Sequence, residues 1–103
     1  MDIIESDMGI KDLLQEKREE ILRIAERHGA HNVRVFGSVV RGEAGPESDV
    51  DFLVDMEPER SLFDRGELLM DLEELLGRKV DVVTEASIYW LLRRRILGEA
   101  RPL

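Results

Sequence analysis

Apolar residues recur along this chain with two different periods. Ile10, Leu13, Leu14, Ile21, Ile24, Ala25 and His28 fall at helical spacing with Lys, Arg and Glu between them, and Gly29 follows as a stop signal. That pattern predicts one amphipathic helix over 10–28. Val33, Val35 and Phe36 form a short β-rich segment that ends at Gly37, and Val50, Phe52, Leu53 and Val54 form a second after the Gly45-Pro46 turn. Both read as strands, with 43–48 as the intervening loop. Gly37 and Ser38 can open a short helix between them.

Leu62, Phe63, Leu68, Leu69, Leu72, Leu75 and Leu76 mark a further helix over 62–76, closed by Gly77, and its leucines are expected in the core. Residues 79–84 predict a third strand and 87–97 a last helix, with one of the adjoining Tyr89 and Trp90 packed inside. The first eight residues and the last three are expected to fray. The order of elements predicts an α/β (α+β) fold, a small mixed β-sheet covered by helices. With 103 residues there is room for one such domain, spanning 1–103.

Composition narrows the classes of function. Twenty-three acidic against fifteen basic residues leave a formal charge of −8, which argues against direct binding of nucleic acid through its phosphates and favours a basic protein partner. There is no cysteine, hence neither disulfide nor thiol chemistry. No signal-peptide pattern and no apolar run near the roughly 20 residues that span a membrane are present, so a soluble, cytoplasmic protein is expected. One Asn and one Gln among many Glu and Arg hint at a thermophilic source.

The chemistry concentrates in FGSVVRGEAGPESDVDFLV. Side chains alternate along a strand, so Asp49 and Asp51 project to the same side about 6.6 Å apart along the chain, with Val50 and Phe52 opposite. Asp81 lies in KVDVV between Val80 and Val82, and pairing of its strand with that of Asp51 would gather three carboxylates. Two carboxylates near 5 Å repel by about 3 kcal/mol at an effective dielectric of 20, a conflict that divalent cations resolve. Mg²⁺ takes oxygen ligands together with phosphate, and a pair of ions can serve both attacking and leaving oxygens. Gly37 lets the backbone turn closely against a phosphate, Ser38 offers a hydroxyl and an N–H, and Arg41 can add charge or form a structural ion pair.

Each piece alone has a plainer reading. Asp49 and Asp51 could be solvated acids at a strand start, Ser38 a helix cap, and Arg41 a surface arginine. His28 and His31 flank a helix end and read as structural. Arg93, Arg94 and Arg95 suit the end of the last helix and a solvated face. The Gly-Ser pair, the Asp-x-Asp and the third strand Asp in one chain favour phosphate and metal binding.

These residues resemble the DNA polymerase β-like nucleotidyltransferase superfamily, and within it the minimal nucleotidyltransferases. The likeness runs from the first helix through Asp81 to the closing ILGEARPL. It implies the polymerase β-like fold, nucleotide phosphates on Gly37 and Ser38, and two Mg²⁺ ions on Asp49, Asp51 and Asp81. It further implies the antitoxin of a pair whose toxin is a HEPN-domain ribonuclease. Such an antitoxin moves AMP from ATP onto a toxin tyrosine and releases pyrophosphate, with Asp81 as base or metal ligand nearest the hydroxyl. Two alternatives stand beside this: an antitoxin that acts by binding alone, and the catalytic chain of a two-chain enzyme modifying a small hydroxyl compound. Self-association through apolar helix faces stays open.

Overall fold

The computed structural model describes residues 9–103. Along them run α1 (Ile10–Glu16), α2 (Arg18–Arg27), β1 (Ala30–Phe36), α3 (Ser38–Arg41), β2 (Val50–Met56), α4 (Leu62–Leu76), β3 (Val80–Val83), a 3-10 turn over Glu85–Ser87, α5 (Trp90–Glu99) and β4 (Arg101–Pro102). The fraying expected of residues 1–8 lies outside the described residues.

One mixed sheet carries the strands in the order β3-β2-β1-β4. β1 is antiparallel to β2 and β4, while β2 and β3 are parallel. A parallel pair needs a crossover, and α4 supplies it. Alternation along β2 divides the interior: Val50, Phe52 and Val54 pack with Ile21 and Ala25 of α2 and Leu68 and Leu72 of α4. Leu53 points the other way, with Phe36, against Ile96 of α5. Full burial of Phe52 and Leu53 is worth roughly 1.5–3 kcal/mol each. Helices therefore cover one face fully, and α5 alone crosses the face that carries Asp51.

Local chemistry sets the helix ends. Ser61 caps α4: its Oγ accepts from the Phe63 N–H at 3.2 Å, and Asp64 Oδ2 accepts from the Ser61 N–H at 2.9 Å, a reciprocal box that satisfies otherwise orphaned donors. Gly77 closes the same helix in the left-handed region, at φ 66°.

Several expectations change. The helix over 10–28 divides at Lys17, because the apolar stripe lapses at Lys17 and Arg18 between Leu14 and Ile21. β1 starts at Ala30 rather than Val33, across a register shift between His31 and Arg34; the irregularity removes the alternation that would have announced it. Ser87 does not open the last helix. Its Oγ takes the Thr84 N–H at 3.0 Å within the 3-10 turn, and α5 begins at Trp90. The last three residues do not fray: Arg101 and Pro102 pair with Val35 and Arg34, and the Leu103 N–H reaches Val33 O at 3.1 Å. Leu62 and Phe63 are 74% and 86% exposed, outside the core in which the leucine pattern placed them. Among the described residues no helix is long and apolar enough to cross a membrane.

Candidate active site

The chemistry-bearing residues meet where β1 leaves the sheet and β2 and β3 enter it. Phe36, the last residue of β1, lies opposite Asp51, and Asp51 lies in register with Asp81. Neighbouring strands are about 4.8 Å apart, so the two carboxylates are adjacent on the face that α5 crosses. Asp49 sits one residue ahead of β2 and is exposed. Its loop is fastened by Arg78, whose Nη2 donates to Gly45 O at 2.5 Å and Ser48 O at 3.1 Å.

Gly37 makes the turn from β1 into the single turn of α3 at φ 81°, ψ −152°, a conformation essentially confined to glycine. A Cβ there would collide with Asp51 Oδ2. Ser38, half-buried, opens α3, and its carbonyl accepts the Glu43 N–H at 2.9 Å. Arg41, at the end of α3, pairs through Nε with Glu43 at 3.0 Å and through Nη1 with both carboxylate oxygens of Glu99 at 3.1 Å. Glu99 also accepts the Gly37 N–H at 2.7 Å.

Asp51 is half-buried, and its carboxyl is raised from 3.8 to about 6. Burial is the largest cause, followed by the charges of Asp81 and Asp49, with Arg41 opposing them. Among the described residues no three carboxylate or imidazole side chains form a ready-made cage for an ion. Asp51 and Asp81, in register on neighbouring strands, offer paired oxygen donors of the kind an ion such as Mg²⁺ takes.

A cleft of about 270 Å³ has Gly37, Arg41, Asp51, Asp81 and Glu99 on one side and Ile88, Tyr89, Leu92 and Arg95 on the other, while Ser38 and Asp49 lie outside its lining. A larger hollow of about 440 Å³ between α1 and the loop at 44–46 contains none of the three aspartates. The expectation that Tyr89 or Trp90 packs in the core is corrected: they are 60% and 73% exposed, at the start of a helix whose anchor is Ile96. Arg95 borders the cleft instead of serving only a solvated face, whereas Arg93 pairs with Glu85 at 3.1 Å. His28 and His31 are structural, bonded to Asp71 at 2.7 Å and Glu57 at 2.8 Å. Sequence reasoning missed Glu99 as a site residue, and its place in the ILGEARPL tail was the only available signal.

Comparison with known proteins agrees with this fold. Residues 10–103 match the family described as nucleotidyltransferase domain. The protein adenylyltransferase MntA of Thermococcus cleftensis is 42% identical over 90 residues, 87% of this chain and 88% of that protein. A solved structure described as a candidate minimal nucleotidyltransferase superposes with a TM-score of 0.80 at 49% identity, covering 89% of this chain and 94% of the other. A chain from the solved complex of a tri-AMPylated Shewanella oneidensis HEPN toxin with an MNT antitoxin shares the fold, with a TM-score of 0.65 at 20% identity over 85% of this chain and 69% of that one.

Proposed function

The chain belongs to the nucleotidyltransferase domain family and is a nucleotidyltransferase; from that premise we propose that it is an antitoxin that transfers AMP from ATP to a tyrosine hydroxyl of a HEPN-domain toxin in the cytoplasm. The observation that carries the reading is the side-by-side register of Asp51 and Asp81 next to the Gly37 turn. Phosphate-binding donors and cation-binding acids adjoin there, as nucleotidyl transfer requires.

In this reading Gly37, Ser38 and Arg41 bind the triphosphate and fix its direction along the cleft. Asp49, Asp51 and Asp81 hold Mg²⁺, two ions in all. Bound Mg²⁺ neutralises the triphosphate and the charge developing on it. The tyrosine oxygen forms a bond to the α-phosphorus, the bond from that phosphorus to the bridging oxygen of pyrophosphate breaks, and pyrophosphate leaves. Asp81, exposed on the open side of β3, accepts the hydroxyl proton. Positioning and electrostatics supply most of the rate in such chemistry.

A protein acceptor fits the exposed side chains at the cleft's outer wall. Tyr89 and Leu92 line the cleft, and Trp90 and Leu91 continue the same apolar surface outward. A toxin that brings its tyrosine to Asp81 covers this patch. Exposed apolar surface beside a catalytic cleft is what a protein acceptor would bury.

The test is label transfer from ATP to a co-expressed toxin in Mg²⁺, with label at the α or the γ position and Asp51→Asn as control. Label arriving only from the α position, on tyrosine, and only with Asp51 intact is the expected result. Toxin inhibition that persists without any transfer would overturn the catalytic reading in favour of neutralisation by binding.

A further inference from the structure

Glu99 occupies two of the donors that the nucleotide reading gives to the triphosphate. Its carboxylate takes the Gly37 N–H at 2.7 Å and Arg41 Nη1 at 3.1 Å on each oxygen. We infer that Glu99 is an internal competitor for the triphosphate, a residue that sets nucleotide affinity by holding the phosphate donors until a phosphate displaces it. The inference rests on the nucleotide reading of this same cleft.

Three observations support it. The first is chemical equivalence: a carboxylate and a phosphate both present paired anionic oxygens, so either can accept from Arg41 Nη1 and the Gly37 N–H. The second is charge. Glu99 stands in a cleft with Asp51 and Asp81, and a triphosphate arriving with Glu99 still in place would add negative charge against a donor set already neutralised. Carboxylate and phosphate therefore exclude each other on Gly37 and Arg41. The third is mechanical. Glu99 is the final residue of α5, with Ile96 buried one turn before it and Arg101 paired to β1 just after it. Its backbone is pinned on both sides, and rotation of the side chain alone vacates the donors.

The rival role is structural support, in which Glu99 holds the Gly37 turn and Arg41 in shape and stays bound beside the nucleotide. The two differ in sign. Removing a competitor tightens nucleotide binding, whereas removing a support weakens it.

The experiment titrates the full chain and its Glu99→Gln and Glu99→Ala variants with a non-hydrolysable ATP analogue in Mg²⁺, by calorimetry, with inorganic pyrophosphate and adenosine as separate probes. Glu99→Gln keeps the shape of the side chain and loses its charge, so it guards against a collapsed turn in the alanine variant; thermal unfolding checks that both are folded. The expected result is a Kd lower by about tenfold for the analogue and for pyrophosphate, with no tightening for adenosine, which carries no phosphate. Unchanged or weaker analogue binding by folded Glu99→Gln, with the unsubstituted chain binding normally, overturns the inference and leaves the nucleotide reading standing. Failure of every chain to bind the analogue overturns both.

Discussion

Gly37 and Asp51 are so close that a single methyl group on Gly37 would collide with Asp51 Oδ2. The Gly37 turn and the Asp51 carboxylate are thus in direct apposition. Gly37→Ala meets two penalties, since its φ of 81° with ψ −152° is strained for any Cβ and the Cβ would expel the carboxylate. A loss of roughly 1–3 kcal/mol in stability and loss of nucleotidyl transfer are expected. Gly77 provides the comparison, with φ 66° and open space around it. Gly77→Ala should cost about 1–2 kcal/mol yet leave transfer per folded molecule intact, as denaturant titration and label transfer would reveal.

The raised pKa of Asp51 predicts a pH dependence of defined sign. A carboxyl raised from 3.8 to about 6 holds its proton more tightly in the folded chain than in the unfolded one. Its contribution to stability is present below the unfolded value and is lost as pH rises through about 6. Asp51→Asn should therefore raise the thermal midpoint at pH 8 in the absence of divalent cation, with the gain vanishing near pH 4. Binding of Mg²⁺ with nucleotide to the unsubstituted chain should weaken below about pH 6, where Asp51 takes up a proton. Calorimetric scans at several pH values check both.

Trp90 is 73% exposed and stacks obliquely on Tyr89, with ring centroids 6.2 Å apart at 53°. Large exposed aromatic side chains at an interface commonly contribute 2 kcal/mol or more. Trp90→Ala should weaken toxin binding by about thirtyfold while shifting the stability of the isolated chain by no more than about 0.5 kcal/mol. Calorimetry with the purified toxin measures the first and thermal unfolding the second. Unaltered toxin affinity would place the acceptor surface elsewhere.

Arg78 reaches across from the start of β3 to hold the loop that delivers Asp49. Its Nη2 donates to Gly45 O at 2.5 Å and Ser48 O at 3.1 Å. Arg78→Ala leaves those carbonyls without their donor, at a cost of about 1–3 kcal/mol. Asp49 is then less well fixed, so Mn²⁺ affinity measured by electron paramagnetic resonance in the presence of nucleotide should fall as well. Retained affinity with reduced stability would mean that Asp49 is held by β2 alone.

Much of this site was legible because its signals are local. Gly37 and Gly77 announce backbone reversals by their own conformational freedom, and Val50, Phe52 and Leu53 announce a strand by the period of its faces. The short α3 follows from the Gly37-Ser38 turn and the end of α4 from Gly77, while the Ser61–Asp64 cap came only with the structure. The strand that begins before Val33 was hidden because its irregularity breaks the alternation. Two-residue β4 was hidden because Arg101 and Pro102 have no periodicity of their own.

The sequence by itself determined the main helices and three of the strands, the glycine turn, and the alternation that sets Asp51 and Asp81 opposite their apolar neighbours. Only the tertiary structure decided that Asp81 stands beside Asp51, that Trp90 stays outside, and that Glu99 sits on Gly37 and Arg41. Those outcomes depend on strand register and on the angle at which α5 crosses the sheet. Gly37 and Glu99 are 62 positions apart, and no local preference of either residue encodes their meeting. It comes from Leu53, Phe36 and Ile96 burying one another, which draws the end of α5 over the cleft.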